Sequence, residues 1–159
     1  MLGHYPVYTF PHLQRLELHI HDARPMHQPP VSPQLNAIIV FSSRVLRVLE
    51  TTALQRLLLH VSCYTWTTLC SSAISDPPTQ AAWSLLDETL CLPQYETAKV
   101  CVSASTWNEE QDRWWAVPGE GVCQLLPNSA SRDNTDITEV SSSCYICMAG
   151  IQLTCFFGR

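Results

Sequence analysis

The residues of this chain whose type and spacing can do chemistry are few, and the first are His19-Ile20-His21-Asp22. Residues two apart on a strand share a face, so His19 and His21 can meet one metal ion at a strand end, as in some metal-dependent hydrolases. Such a site needs further His, Asp or Glu, and His60 is the one well-placed histidine elsewhere. The competing explanation is plainer: His19 points outward from a strand and His21 begins a loop. Cys144-Tyr145-Ile146-Cys147 has the spacing of half a zinc site, but no second pair accompanies it, Cys155 lies well downstream and Cys123 stands alone. A redox pair would sit in a strand-to-helix turn with a lowered thiol pKa, whereas this context is apolar and strand-like, which reads as buried thiols. No nucleophile elbow or catalytic triad is recognisable, and five glycines leave little room for a phosphate-cradling loop. The expectation is a protein that is not an enzyme and holds no metal or other cofactor.

The elements that would position these residues are announced by a repeat. Leu13-Gln14-Arg15-Leu16-Glu17-Leu18-His19-Ile20 and Leu54-Gln55-Arg56-Leu57-Leu58-Leu59-His60-Val61 agree at six of eight positions, at an offset of 41 residues. Leu-x-x-Leu-x-Leu is the strand half of a leucine-rich repeat, with leucines inward and the intervening residues on the concave surface. Each octamer is followed by a polar stretch and a helix start, Ser32-Pro33 and then Asp76-Pro77-Pro78. Ser and Asp accept hydrogen bonds from free first-turn amides, and proline at the first helical position loses no bond. Leu35, Ile38, Ile39, Val45, Leu46 and Leu49 then fall at helical spacing, as do Ala82, Trp83, Leu86 and Leu90 before Pro93. A third strand is expected at Thr97–Ser105, where Ala98, Val100, Val102 and Ala104 alternate with Lys99, Cys101, Ser103 and Ser105.

The order β-α-β-α-β implies a parallel sheet with right-handed crossovers, and the repeat favours an open, curved array over a doubly wound sheet. Two or three units barely bury their own faces, so a piece of a longer array is expected. The expected organisation is a leucine-rich-repeat-like βα array over residues 1–106, then a hairpin and an apolar C-terminal cap or tail over 107–159. In the second part, Trp107–Trp115 reads as a strand, a charged turn and a returning strand, Val117–Gly121 as another turn, and Asn128–Glu139 as a polar loop. Val140–Phe157 offers one or two apolar strands that would be prone to aggregate if uncovered. Trp107, Trp114 and Trp115 suit either a hairpin packed on the sheet end or an exposed binding patch.

Phe10-Pro11-His12-Leu13-Gln14-Arg15-Leu16-Glu17-Leu18, followed by a long helix and a second Leu-Gln-Arg-Leu strand, resembles the irregular leucine-rich-repeat region of F-box proteins, especially the fungal type, over about residues 8–105. The resemblance implies a surface that recognises a target protein. No F-box is visible, so ligase assembly is not implied. The 41-residue spacing also exceeds the about 20–29 of regular repeats, and His21 and Ser62 stand where Asn or Cys is usual.

Composition narrows the function class. Of 159 residues 46% are hydrophobic and 14% charged, against about 25% charged in an average soluble domain. The net charge of −5 is uneven: residues 1–75 hold five cations and three acids, residues 76–159 four cations and eleven acids. This excludes a strongly basic protein, and nucleic acid is not an expected partner. Met1–Pro6 lacks a basic stretch leading into an apolar run, so a cytoplasmic or nuclear location with reduced thiols is expected. Two uncharged stretches approach the length of a membrane span. Leu57–Ser75 is diluted by hydroxyl residues and reads as buried strand plus loop, which leaves 140–158 as the one candidate membrane tail.

These features lead to a non-catalytic protein-interaction module. The alternative is a fast-evolving or truncated reading frame without a selected function, to which the low lysine content and the abundant Cys and Trp also point. If the octamers and the third strand are parallel neighbours, their outward residues align in columns: Arg15, Arg56 and Lys99; Glu17, Leu58 and Cys101; His19, His60 and Ser103. The first column would be a ladder of three cations suited to an acidic peptide segment, because Arg grips a carboxylate with two parallel hydrogen bonds. The expected partner-binding residues are therefore Arg15, Glu17, His19, Arg56, Leu58, His60 and Lys99.

Overall fold

The two leucine octamers form adjacent parallel strands, β2 (Leu13–His21) and β4 (Arg56–Cys63), in a computed structural model that describes residues 8–22, 33–108, 110–111, 113–138 and 150–157. The third strand, β5 (Lys99–Asn108), lies parallel to β4 on its other side. Register follows the repeat: Leu16 pairs with Leu57 and Leu57 with Val100, while Leu18 pairs with Leu59 and Leu59 with Val102. All six are at most 2% exposed and belong to one apolar cluster. Consecutive parallel strands are thus spatial neighbours in sequence order, as the β-α-β-α-β reading requires.

The crossovers supply the other half of that cluster. Helix α1 (Pro33–Val48) contributes Leu35, Ile39 and Leu46, and α3 (Pro77–Leu90) contributes Ala82, Trp83, Leu86 and Leu90. The expected start of α3 is present, with the Asp76 carboxylate accepting from Thr79 N–H at 3.1 Å and Thr79 Oγ1–H at 2.5 Å. Ser32 lies outside the described residues. Pro93–Tyr95 makes a 3₁₀ turn that ties α3 to α1: buried Tyr95 donates to Leu46 O at 2.6 Å, and Gln94 Nε2 donates to Leu46 O and Leu49 O. Leu49 has left α1 and lies in β3 (Leu49–Glu50), which pairs with β1 (Tyr8–Thr9) in a separate two-stranded sheet.

Three expectations are corrected. Residues expected to be a loop after β4 form helix α2 (Trp66–Ser75). Its Ser71 and Ser75 hydroxyls return to the carbonyls of Thr67 and Ser71, and Trp66 and Leu69 bury on the α3 side, so packing overrides poor propensity. The expected turn at Val117–Gly121 opens helix α4 (Gly119–Leu125). The expected polar loop after Asn128 contains α5 (Pro127–Ala130) and β7 (Thr135–Ile137). Here the polar groups bond to the protein rather than to water. Buried Asp87 accepts from Asn128 N and Nδ2 and from Ser129 N and Oγ at 2.6–3.0 Å, and Asn134 Nδ2 donates to Ala98 O at 2.8 Å.

The remaining strands complete a six-stranded sheet in the order β6-β5-β4-β2-β8, with β7 also parallel to β5. Strand β6 (Arg113–Ala116) returns antiparallel along β5 as the expected hairpin, Trp107 opposite Trp114. Strand β8 (Gly150–Phe157) runs antiparallel to β2 at the opposite edge. The fold is therefore α/β, a parallel core with antiparallel strands at its edges. Strand β8 leaves Leu153, Phe156 and Phe157 44–57% exposed, which is the aggregation-prone character its apolar sequence carries. No helix among the described residues is long and apolar enough to cross a membrane.

Candidate functional site

Side chains alternate across a strand, so burying the leucines of β2 and β4 and the valines of β5 under α1–α3 commits the residues between them to the opposite face. None of these joins the apolar cluster that unites helices and strands. All seven sequence-predicted binding residues lie on this second face, where Arg56 is exposed but Cys101 and Ser103 are buried, and the register aligns them as expected: Arg15 with Arg56 and Lys99, Glu17 with Leu58 and Cys101, His19 with His60 and Ser103. A fourth column adds His21, Ser62 and Ser105. His21 thus continues β2 instead of beginning a loop.

Within the cation column each residue is satisfied differently. Arg15 pairs with Glu17 of its own strand and lies 5.0 Å from the centroid of the Phe156 ring across the β2–β8 boundary. Lys99 pairs with Asp136 of β7 at 3.2 Å. Arg56, between them, is exposed and has no ion-pair partner among the described residues. The outer cations are held in place by the fold, whereas the central one projects unneutralised from the face.

Next along the strands is a histidine cluster. The His19 ring centroid is 5.8 Å from that of His60 and 6.3 Å from that of His21, the latter pair nearly parallel. His60 Nδ1 contacts Ser103 Oγ at 2.8 Å, Nε2 contacts Ser105 Oγ at 3.1 Å, and Ser105 Oγ lies 2.9 Å from Ser62 Oγ. A neutral imidazole has one donor and one acceptor, so one serine donates to the ring and the other accepts from it. Burial, reinforced by His19 and His21, pulls the His60 pKa down to about 4. Burial, and then His19, lowers that of His21 as well. Among the described residues no group of three or more His, Cys, Asp or Glu side chains is placed to hold a metal ion. His60 also has both ring nitrogens committed to serines.

Stability should respond to acid accordingly. Because His60 is depressed in the folded state, the unfolded chain takes up the proton first, so stability is full above pH 6.5 and lost as the pH falls towards 4. The loss from this group is about 3 kcal/mol across that window. Urea denaturation of the wild type and of His60→Gln at pH 7 and pH 4.5 should show a shallower pH dependence in the variant; equal slopes would contradict the assignment.

Beyond the histidines, the strand ends carry an aromatic group in which Tyr64 joins two of the three tryptophans grouped from the sequence. Trp107 and Trp114 meet edge to face at 5.5 Å, and Tyr64, just after β4, lies 5.2 Å from Trp114. Both tryptophans are half-buried, whereas Trp115 is 42% exposed with the Arg113 guanidinium 5.7 Å from its ring centroid. The three tryptophans therefore do not act as one unit. Cys70, Cys91, Cys101, Cys123 and Cys155 carry free thiols, and Cys144 and Cys147 lie outside the described residues. No family model, curated protein or solved structure matches the chain.

Proposed function

We infer that this chain is a non-catalytic protein-interaction module whose open sheet face receives an acidic segment of another protein. The observation that carries the reading is the alignment of Arg15, Arg56 and Lys99 in one column on the face opposite α1–α3. Arg15 and Lys99 are already paired with Glu17 and Asp136, so the cation of this column without an ion-pair partner among the described residues is Arg56. A carboxylate of the partner gives Arg56, exposed at the centre, a bidentate grip. The resemblance to the target-recognising repeats of F-box proteins supports the same use of this surface.

The test is a charge-removal pair. With an octa-aspartate peptide as probe, Arg15→Ala combined with Arg56→Ala should weaken binding by at least about tenfold, or about 1.4 kcal/mol, and flatten its salt dependence. Unchanged affinity and salt dependence would leave the column a solvated row of charges and overturn the reading.

A further inference from the structure

The histidine cluster adds to this surface something that binding to fixed charges does not need. We propose that docking of an acidic segment on the face opposite α1–α3 is coupled to proton uptake by His21 and His60, so that the face holds its partner more tightly as the pH falls. The inference rests on the reading of that face as an acidic-segment site and names its regulation.

The geometry follows from alternation and register. His19 and His21 are two apart on β2 and share a face, and the β2–β4 pairing sets His60 beside His19. With ring centroids 5.8 and 6.3 Å apart, a proton on one imidazole penalises a proton on the next. Burial, and then the neighbouring imidazoles, hold His60 and His21 below the ordinary histidine range in the free protein. From β2 come Arg15 and Glu17, which neutralise each other, with Glu17 Oε2 also 3.8 Å from His19 Nε2; buried Asp22 follows at the strand end. From β4 and β5 come Arg56, Lys99, Cys101 and serine hydroxyls, and the carboxylate of β7 Asp136 is taken by Lys99. From β8, Phe156 and Thr154 pair beside Arg15 and Glu17, and neither is ionisable. Glu17, which contacts His19, is shared with Arg15.

A docked acidic segment changes that balance. Its carboxylates face the rings and its bulk displaces water, which strengthens every charge interaction beneath it. His21 Nδ1 is buried without a hydrogen-bond partner. Ser103 and Ser105 hydroxyls can turn to accept from a His60 imidazolium, so charging that ring needs no backbone movement. Linkage then requires the converse: if the partner raises proton affinity, protons raise partner affinity by the same factor.

Octa-aspartate stays ionised at both pH 7.5 and pH 5.5, so its titration against the intact chain by calorimetry isolates the protein's protons. The expected result is binding about tenfold tighter at pH 5.5, which is what one histidine restored to its ordinary pKa in the complex supplies, with net proton uptake revealed by buffers of different ionisation enthalpy. His60→Gln should lose most of the gain between pH 7.5 and pH 5.5 and take up fewer protons on binding. His21→Gln serves the same purpose if circular dichroism shows the first variant unfolded. Binding of equal strength at both pH values without proton uptake overturns the coupling and leaves the acidic-segment reading standing. No binding at either pH overturns both.

Discussion

Leu57→Ala should lower the free energy of unfolding by about 3–5 kcal/mol, the upper part of the range for truncating a leucine in a core that cannot collapse around the gap. Leu57 is fully buried at the centre of the sheet, with Leu16 on one side and Val100 on the other, under the cluster that α1 and α3 complete. Its backbone is held by parallel pairing on both edges, so neither neighbouring strand can close the cavity without breaking register. Urea denaturation should show a lower midpoint with an unchanged slope, since the surface exposed on unfolding stays the same. A loss below about 1 kcal/mol would mean that the octamers do not face the core as paired strands. Leu58→Ala, one residue away on the open face, should cost far less.

Asp87→Ala should cost about 2–4 kcal/mol, although the side chain it removes is charged. The Asp87 carboxylate is 2% exposed and gathers the Asn128 and Ser129 amides, the Asn128 carboxamide and the Ser129 hydroxyl. It thereby fastens α5 to α3, and truncation leaves the Ser129 amide and hydroxyl buried without that acceptor, while exposed Asn128 loses its tether. Asp87→Asn keeps the shape and part of the acceptor capacity and should recover some of the loss. Hydrogen exchange should place the added opening at 126–138 before the parallel core. Uniform loss of protection, or none, would contradict the local role.

The parts of this fold that were legible share one property: the signal was repeated. Leu16 opposite Leu57 and His19 opposite His60 follow from two near-identical octamers, and the Val100–Val102 alternation extends the same register to a third strand. Helix α3 was legible from its capping Asp76 and the prolines after it. Helix α2 was not, because Ser71 and Ser75 look like loop residues until their hydroxyls are seen bonding back to the preceding turn. Residues 127–137 looked like a loop for a related reason: their polar groups bond to Asp87 and Ala98, about forty positions earlier, and no local pattern announces such partners. Within the site, register places Ser103 beside His60, but the contact to Ser105 is diagonal, and the Lys99–Asp136 pair depends on a strand that composition alone concealed. The position of β8 beside β2 has no local sequence signal either, since an apolar strand suits either edge of the sheet.

Which face of the sheet meets a partner decides the function proposed for this chain. Amide chemical-shift mapping of the ¹⁵N-labelled chain with octa-aspartate reads this directly. The predicted result is perturbation concentrated along β2, β4 and β5 around Arg15, Arg56 and His60, fading as salt is raised, while the amides of α1, α2 and α3 stay unshifted. Perturbations centred on those helices, or none in any strand, would contradict it.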